Sequence, residues 1–180
     1  MNDSLETITE AAAAEGGIFA ANLSQNPGAV ALWSPLCGDR FASGLEAIYE
    51  GYLIHYGRPR VFAELSRDDA LLCGDFLYAR GLTWIAELDD VHAVSALAEL
   101  IATASAVRAE GEPGDDFALW AATAIHLADR FPDAALDQAR EDLARERDSS
   151  KLEALIAGQD LATARAMHAV NASERLPSTS

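Results

Sequence analysis

Lysine is almost missing from this chain: Lys151 is the only one, and 13 Lys and Arg together face 29 Asp and Glu. The formal net charge of −16 at pH 7 makes nucleic acid and anionic membranes poor general partners, because both are polyanions. A local Arg site for a phosphate remains compatible with it. Cysteine is nearly as scarce. Cys37 and Cys73 form no CxxC and stand near no His cluster, so no zinc-site pattern is present. Cys73, inside an apolar helix, reads as a small core residue. No run approaches the ~18 apolar residues that a membrane span needs. The opening MNDSLETITE has neither a basic n-region nor an apolar h-region. These absences together lead to the expectation of a cytoplasmic protein. P-loop, Rossmann and G-x-S-x-G patterns are missing too.

Half of the 180 residues are hydrophobic, largely Ala and Leu, which fits a folded, helix-rich globule with one core. The periodicity and its breaks give roughly six or seven helices and no convincing strand. The expected fold is all-α, one helical domain over 1–172 with a disordered tail over 173–180. A first helix runs from Asp3 to Glu15 and stops at Gly16-Gly17. LSQNPGAVALWSPLCG, interrupted by Pro27, Gly28, Pro35 and Gly38, reads as loop or short irregular helices. Asp39 caps a helix reaching Tyr56, just ahead of Gly57-Arg58-Pro59. Ser66 caps the next, with Asp69 at the capping-box position. Asp89 or Asp90 starts another that runs to about Glu110. Beyond GEPGDD come a helix from Phe117 to Arg130, one opened by Pro132, and a last one from Ser150 to Val170.

LLCGDFLYARG, Leu71 to Gly81, is a stretch that a merely stable helix would not use. A mid-helix glycine costs about 1 kcal/mol against alanine, and a buried carboxylate is costly unless paired. At ~100° per residue, Asp69, Arg80, Thr83 and Glu87 share a polar stripe. Asp75 falls instead among Leu71, Tyr78, Ala79, Leu82 and Ala86, and is expected to face inward. There it either accepts hydrogen bonds from a helix end or an arginine, or lines a polar cavity within a helical bundle. Gly74 and Gly81 lie on another stripe, beside Leu77, Ile85 and Leu88, where small residues admit a second helix backbone. The helix Val91 to Ala109 has only a narrow polar stripe of His92, Glu99, Thr103 and Glu110. It is expected to be buried on most sides, centrally in a bundle or at a subunit interface. His55, His92, His126 and His168 sit on separate helices, and ordinary core or surface roles are expected for them.

LLCGDFLYARGLTWIAEL resembles the helix of the trans-isoprenyl (polyprenyl) diphosphate synthases that reads roughly L-x-G-D-[FY]-L-x-x-A. The agreement is at Leu72, Gly74, Asp75, Phe76 and Leu77, with the final position at Ala79 or Arg80. Upstream, HYGRPRVFAELSRDDA is similar to the family's R-R-G-[RK]-P at Gly57, Arg58 and Pro59, and GLEAIYEGYLIH is similar to its A-x-E-x-I-H-x-x-S-L-I-H at Glu46, Ile48, Leu53, Ile54 and His55. Downstream, LDDVHAVSALAELIATASAVRAEGE is similar to the next helix of the family, through Gly111-Glu112. The family continues at once from L-I-H into D-D-x-x-D, whose carboxylates hold the Mg²⁺ ions of the allylic diphosphate. Here His55 is followed by Tyr56 and Gly57, and the aspartate loop and arginine pair are missing. The second D-D-x-x-D is missing too. Asp68-Asp69, Asp89-Asp90 and Asp115-Asp116 lack the third aspartate, and Pro132 puts a turn between Asp129 and Asp133. Ionising an allylic diphosphate needs clustered Mg²⁺ and arginines on the leaving group.

The resemblance therefore implies a shortened isoprenoid-synthase-like bundle without catalytic or metal-binding residues of its own. It also implies the small or regulatory subunit of a heteromeric synthase in isoprenoid biosynthesis, partnered by a full-length synthase subunit that holds the Mg²⁺, or a homodimer. Phe76, Tyr78, Leu82 and Trp84 become candidate wall residues of a product tunnel, Arg58 the nearest thing to a retained diphosphate contact, and Asp75 a further candidate substrate-binding residue. A free-standing helical module that holds a prenyl or lipid chain is the alternative. An enzyme with a metal site of another pattern is the third reading.

Overall fold

The computed structural model describes residues 3–24, 28–63, 65–110, 116–128 and 131–173. These residues form ten helices in chain order: α1 (Asp3–Glu15), α2 (Gly17–Ala21), α3 (Ser34–Cys37), α4 (Asp39–Tyr56), α5 (Arg67–Ala86), α6 (Val91–Glu110), α7 (Phe117–Leu127), α8 (Asp133–Glu146), α9 (Ser150–Leu155) and α10 (Ala162–Ala172). Leu23 and Phe62 share a single antiparallel bridge. The all-α expectation holds among the described residues.

The local signals end the helices where side-chain chemistry demands. The Ser66 side chain accepts the Asp69 N–H at 3.2 Å and its hydroxyl donates to Asp69 Oδ2 at 2.8 Å, a variant of the capping box. Of the two aspartates ahead of α6, Asp90 is the cap, accepting the Ala93 N–H at 3.0 Å, while Asp89 takes a φ of 55°. Gly38, at φ 77°, is the cap of α4; Asp39 lies one residue inside, where its charge favours the helix N-terminus. The expected last helix is in fact two, α9 and α10, parted at Gly158 with φ 84°. α7 ends at Leu127 rather than Arg130; residues 111–115, 129–130 and 174–180, with the expected tail, lie outside the described residues.

α4 is the axis of the molecule, buried almost continuously from Phe41 to Ile54. One hydrophobic core, around Trp33, Tyr49, Tyr52, Leu97 and Trp120, joins it to α6, α7, α8 and the C-terminal helices. A second, around Ile8, Ala47, Ile54, Phe62, Cys73 and Leu77, joins it to α1 and α5. The central alternative for α6 needs correcting. Within the chain it is not buried on most sides: Val91 is 78% exposed and Ala98, Ala102 and Ala106 face outward, while Thr103 of its polar stripe is buried. α7, whose residues from Phe117 to Ile125 are all buried, shares the centre with α4. An Ala-rich helix that is weakly apolar all round carries little directional information, so tertiary packing chose its face.

The glycine stripe does admit a second backbone. Antiparallel α4 and α5 set Gly44 against Gly81 and Gly51 against Gly74. A Cβ on Gly81 would lie 2.6 Å from the Gly44 carbonyl oxygen, and one on Gly51 would lie 2.9 Å from that of Gly74. Cys73 is fully buried in this seam's neighbourhood, as its place in the apolar helix suggested. Burial and nearby Asp69 push its thiol up to about 11; burial, with Glu46, pushes Cys37 up to about 12. Neither is a reactive thiolate at neutral pH.

Candidate functional site

The glycine seam decides where the motif residues point. Cys73, Gly74, Leu77, Gly81 and Ile85 are the buried positions of α5, and that rotation turns Asp75 out. Its side chain is 76% exposed, which overturns the inward orientation expected of it. Leu71 and Leu72, its neighbours toward the helix start, are 52% and 57% exposed. Asp75 Oδ1 lies 3.2 Å from His55 Nε2. Asp75→Ala is expected to change stability by no more than ~0.5 kcal/mol in a denaturant melt, as for an exposed ion pair.

The four candidate wall residues do not share a surface. Phe76 and Trp84 pack on the α1-side core, with the Phe76 and Phe19 ring centroids 4.4 Å apart. Tyr78 and Leu82 pack on the opposite core. Arg58 is exposed, and its backbone N–H donates to the Asn171 carbonyl at 2.8 Å.

The arginine that this loop buries is Arg60, two residues on, 6% exposed. Its Nη1 donates to Glu46 Oε2 at 2.6 Å and its Nε to Glu50 Oε2 at 2.9 Å. Both carboxylates are fully buried. Their other oxygens also work: Glu46 Oε1 accepts the N–H groups of Trp33 and Ser34, and Glu50 Oε1 those of Arg60 and Val61. Burial alone would pull the guanidinium down, but Glu46 and Glu50 hold it above its ordinary value. The i, i+4 glutamates thus pin two loops to α4, the one leading into α3 and the one following Tyr56.

The Arg60 guanidinium carbon lies 4.8 Å from the Tyr49 ring centroid, and Tyr49 leads to a second buried set. Its hydroxyl is 3.0 Å from His168 Nδ1, and His168 Nε2 is 3.0 Å from Asp116 Oδ1. His168 and Asp116 are wholly buried. Burial pushes the Asp116 carboxyl up, but hydrogen bonding and charge from His168, with help from Tyr52 and Arg108, bring it below the ordinary carboxylate range. Arg108 donates to the carbonyls of Tyr56 and Ala172, so this set fastens α10 to the bundle. It joins residues drawn from three distant parts of the chain, and no local pattern marks it.

These shifts set an acid dependence. His55 is held below its ordinary value by burial, against the pull of Asp75; protonating it favours the unfolded chain, so stability drops as pH falls below ~6.5. Asp116, depressed in the folded state, contributes stability that is complete above its ordinary value near 3.8 and is lost on further acidification. Denaturant midpoints from pH 8 to 3 should fall in two steps. His55→Gln is expected to remove the upper one and Asp116→Asn the lower.

A groove of about 360 Å³ between α6 and α8 is lined by Ser95, Glu99, Thr103, Asp137, Arg140 and Glu141. An adjoining recess of about 180 Å³ adds His92, His126 and Asp133. Arg140, 5% exposed, forms the floor and donates to the Ala96 carbonyl at 2.7 Å and to Thr123 Oγ1 at 3.1 Å. Burial pulls its guanidinium down to about 10, which Asp137 and Glu99 only partly offset; Asp137 stays 3.7 Å from Nη1. His92, His126 and Asp133 come together here from α6, α7 and α8, a grouping that sequence spacing did not suggest. No family model, curated protein or solved structure matches the chain.

Proposed function

We infer that the protein works by association, as a non-catalytic subunit of a heteromeric polyprenyl diphosphate synthase built on a shortened isoprenoid-synthase-like bundle. The observation that carries this reading is the open face of α5, where Leu71 and Leu72, both more than half exposed, stand beside the outward carboxylate of Asp75. Two large apolar side chains next to a charge suit a partner's helix face better than water. The glycine seam supports the reading from inside: it explains the Gly part of the Gly-Asp motif as helix packing rather than chemistry. The split of Phe76 and Trp84 from Tyr78 and Leu82 favours association over an enclosed lipid tunnel on α5. Any Mg²⁺ for the reaction belongs to the partner.

The test is purification of the tagged chain from its own cells, with co-eluting proteins identified by mass spectrometry. A stoichiometric full-length synthase carrying both aspartate-rich motifs is the expected result, lost on Leu71→Ser with Leu72→Ser. Recovery of the chain alone, or as a homodimer with extractable lipid, would overturn the subunit reading and favour the lipid-binding alternative.

A further inference from the structure

Arg60 and Arg140 are both buried, but their charges are met very differently. Arg60 has carboxylate oxygens at 2.6 and 2.9 Å. Among the described residues, the nearest carboxylate to Arg140 is that of Asp137, 3.7 Å from Nη1 and beyond hydrogen-bond distance. Nη2 is spent on two neutral acceptors, the Ala96 carbonyl and the Thr123 hydroxyl, and Nε has no partner. A buried cation held only by neutral dipoles is costly, and burial pulls this guanidinium down accordingly. Arg140 lines both the groove of about 360 Å³ and the recess beside it. Nη1, the nitrogen nearest the groove-lining Asp137, is therefore where an anionic group from the groove would land.

We propose that the α6–α8 groove binds a basic amino acid, with its carboxylate on Arg140 and its cationic groups on the acidic walls. The floor calls for one anionic group, and a carboxylate pairs with a guanidinium at charge-assisted strength. The walls exclude a polyanion. Glu99 from α6, with Asp137 and Glu141 from α8, lines the same groove, and these acids repel a phosphate or a dicarboxylate. Once a ligand carboxylate has neutralised Arg140, the three acids still leave the groove negative, so a ligand with two cationic groups fits better than a simple zwitterion. Glu141 holds only a loose pair with Arg145, at 3.7 Å. The Ser95 and Thr103 hydroxyls add neutral partners. The groove's volume of about 360 Å³ falls within the ~300–1,000 Å³ of small-molecule sites. An acidic groove alone would take any organic cation; the buried guanidinium is what adds the demand for a carboxylate. None of the groove residues belongs to α5, and the site does not depend on the subunit reading.

The whole chain is titrated by calorimetry with L-lysine, with cadaverine (the same diamine without the carboxylate) and with glutarate. One equivalent of saturable L-lysine binding is expected, with cadaverine weaker by about tenfold or more, the worth of a charge-assisted hydrogen bond, and no binding of glutarate. This comparison reads the role of Arg140 without mutating it, which matters because Arg140 also ties α8 to α6 and α7. Glu99→Gln and Glu141→Gln, both at exposed positions, should leave the melting temperature unchanged and each weaken L-lysine binding by roughly threefold or more. Absence of saturable L-lysine binding overturns the site. Cadaverine binding as tight as that of L-lysine also overturns it, because the groove would then be an acidic surface only. Tighter binding of glutarate than of L-lysine, or equal L-lysine binding by both variants and the parent, overturns it as well.

Discussion

Arg60→Met is expected to destabilise the protein by about 3–5 kcal/mol, the range for removing one partner of a buried ion pair. The methionine would keep much of the side-chain volume but would leave Glu46 and Glu50, both fully buried, without the cation that pairs with them among the described residues. Replacing a whole buried ion pair with apolar residues is often neutral. That remedy fails here, because Glu46 and Glu50 also accept four backbone N–H groups in two loops. Arg60→Met combined with Glu46→Leu and Glu50→Leu should therefore stay well below the parent in stability, with those N–H groups orphaned in a dry interior. Arg60→Lys should fall between, since one ammonium cannot span both carboxylates as the guanidinium does. Equilibrium urea unfolding reads all three. A loss under about 1 kcal/mol for Arg60→Met would mean that water reaches these carboxylates.

Gly81→Ala is expected to reverse the usual sign of a helical Gly→Ala change. In an exposed helix it would gain about 1 kcal/mol. Here the new Cβ would stand 2.6 Å from the Gly44 carbonyl oxygen and equally close to Ile48 Cγ1. A backbone oxygen cannot swing aside, so α4 and α5 must separate, at an expected cost of about 1–3 kcal/mol. Gly44→Ala should be milder. Its Cβ first meets the end of the Ile85 side chain, at 2.5 Å, and the Gly81 carbonyl only at 3.1 Å; a side chain can change rotamer where a carbonyl cannot. If Gly81→Ala raised the denaturant midpoint, the close seam would be wrong, and with it the rotation of α5 that exposes Asp75.

That rotation shows how far the sequence could be read. Helix limits set by neighbouring residues were legible: Ser66 and Asp69 start α5, the Gly16-Gly17 pair stops α1, and the glycine spacing announced a close helix partner. The direction of Asp75 was not. A wheel ranks positions by hydrophobicity, and it counted Leu71 among the inward residues; the seam ranks them by size, and the glycines won because only they permit backbone contact. The same limit hid Arg60 behind Arg58. Both follow the same break at Gly57, and only the placement of Glu46 and Glu50 under the loop distinguishes them.

The sequence by itself determined an all-α chain, most of its helix starts and stops, the acidic surface, and the small-residue stripe of α5. These are local properties, fixed by backbone propensity, capping and composition within a turn or two of each residue. Tertiary structure decided which helix became the centre, which way Asp75 and α6 faced, and which charged residues met in the interior. Tyr49, Asp116 and His168 reach one another across 119 residues of chain, as do His92, His126 and Asp133 across three helices. Contacts of that kind depend on how ridges and grooves of whole helices fit together, a property that no window of sequence contains.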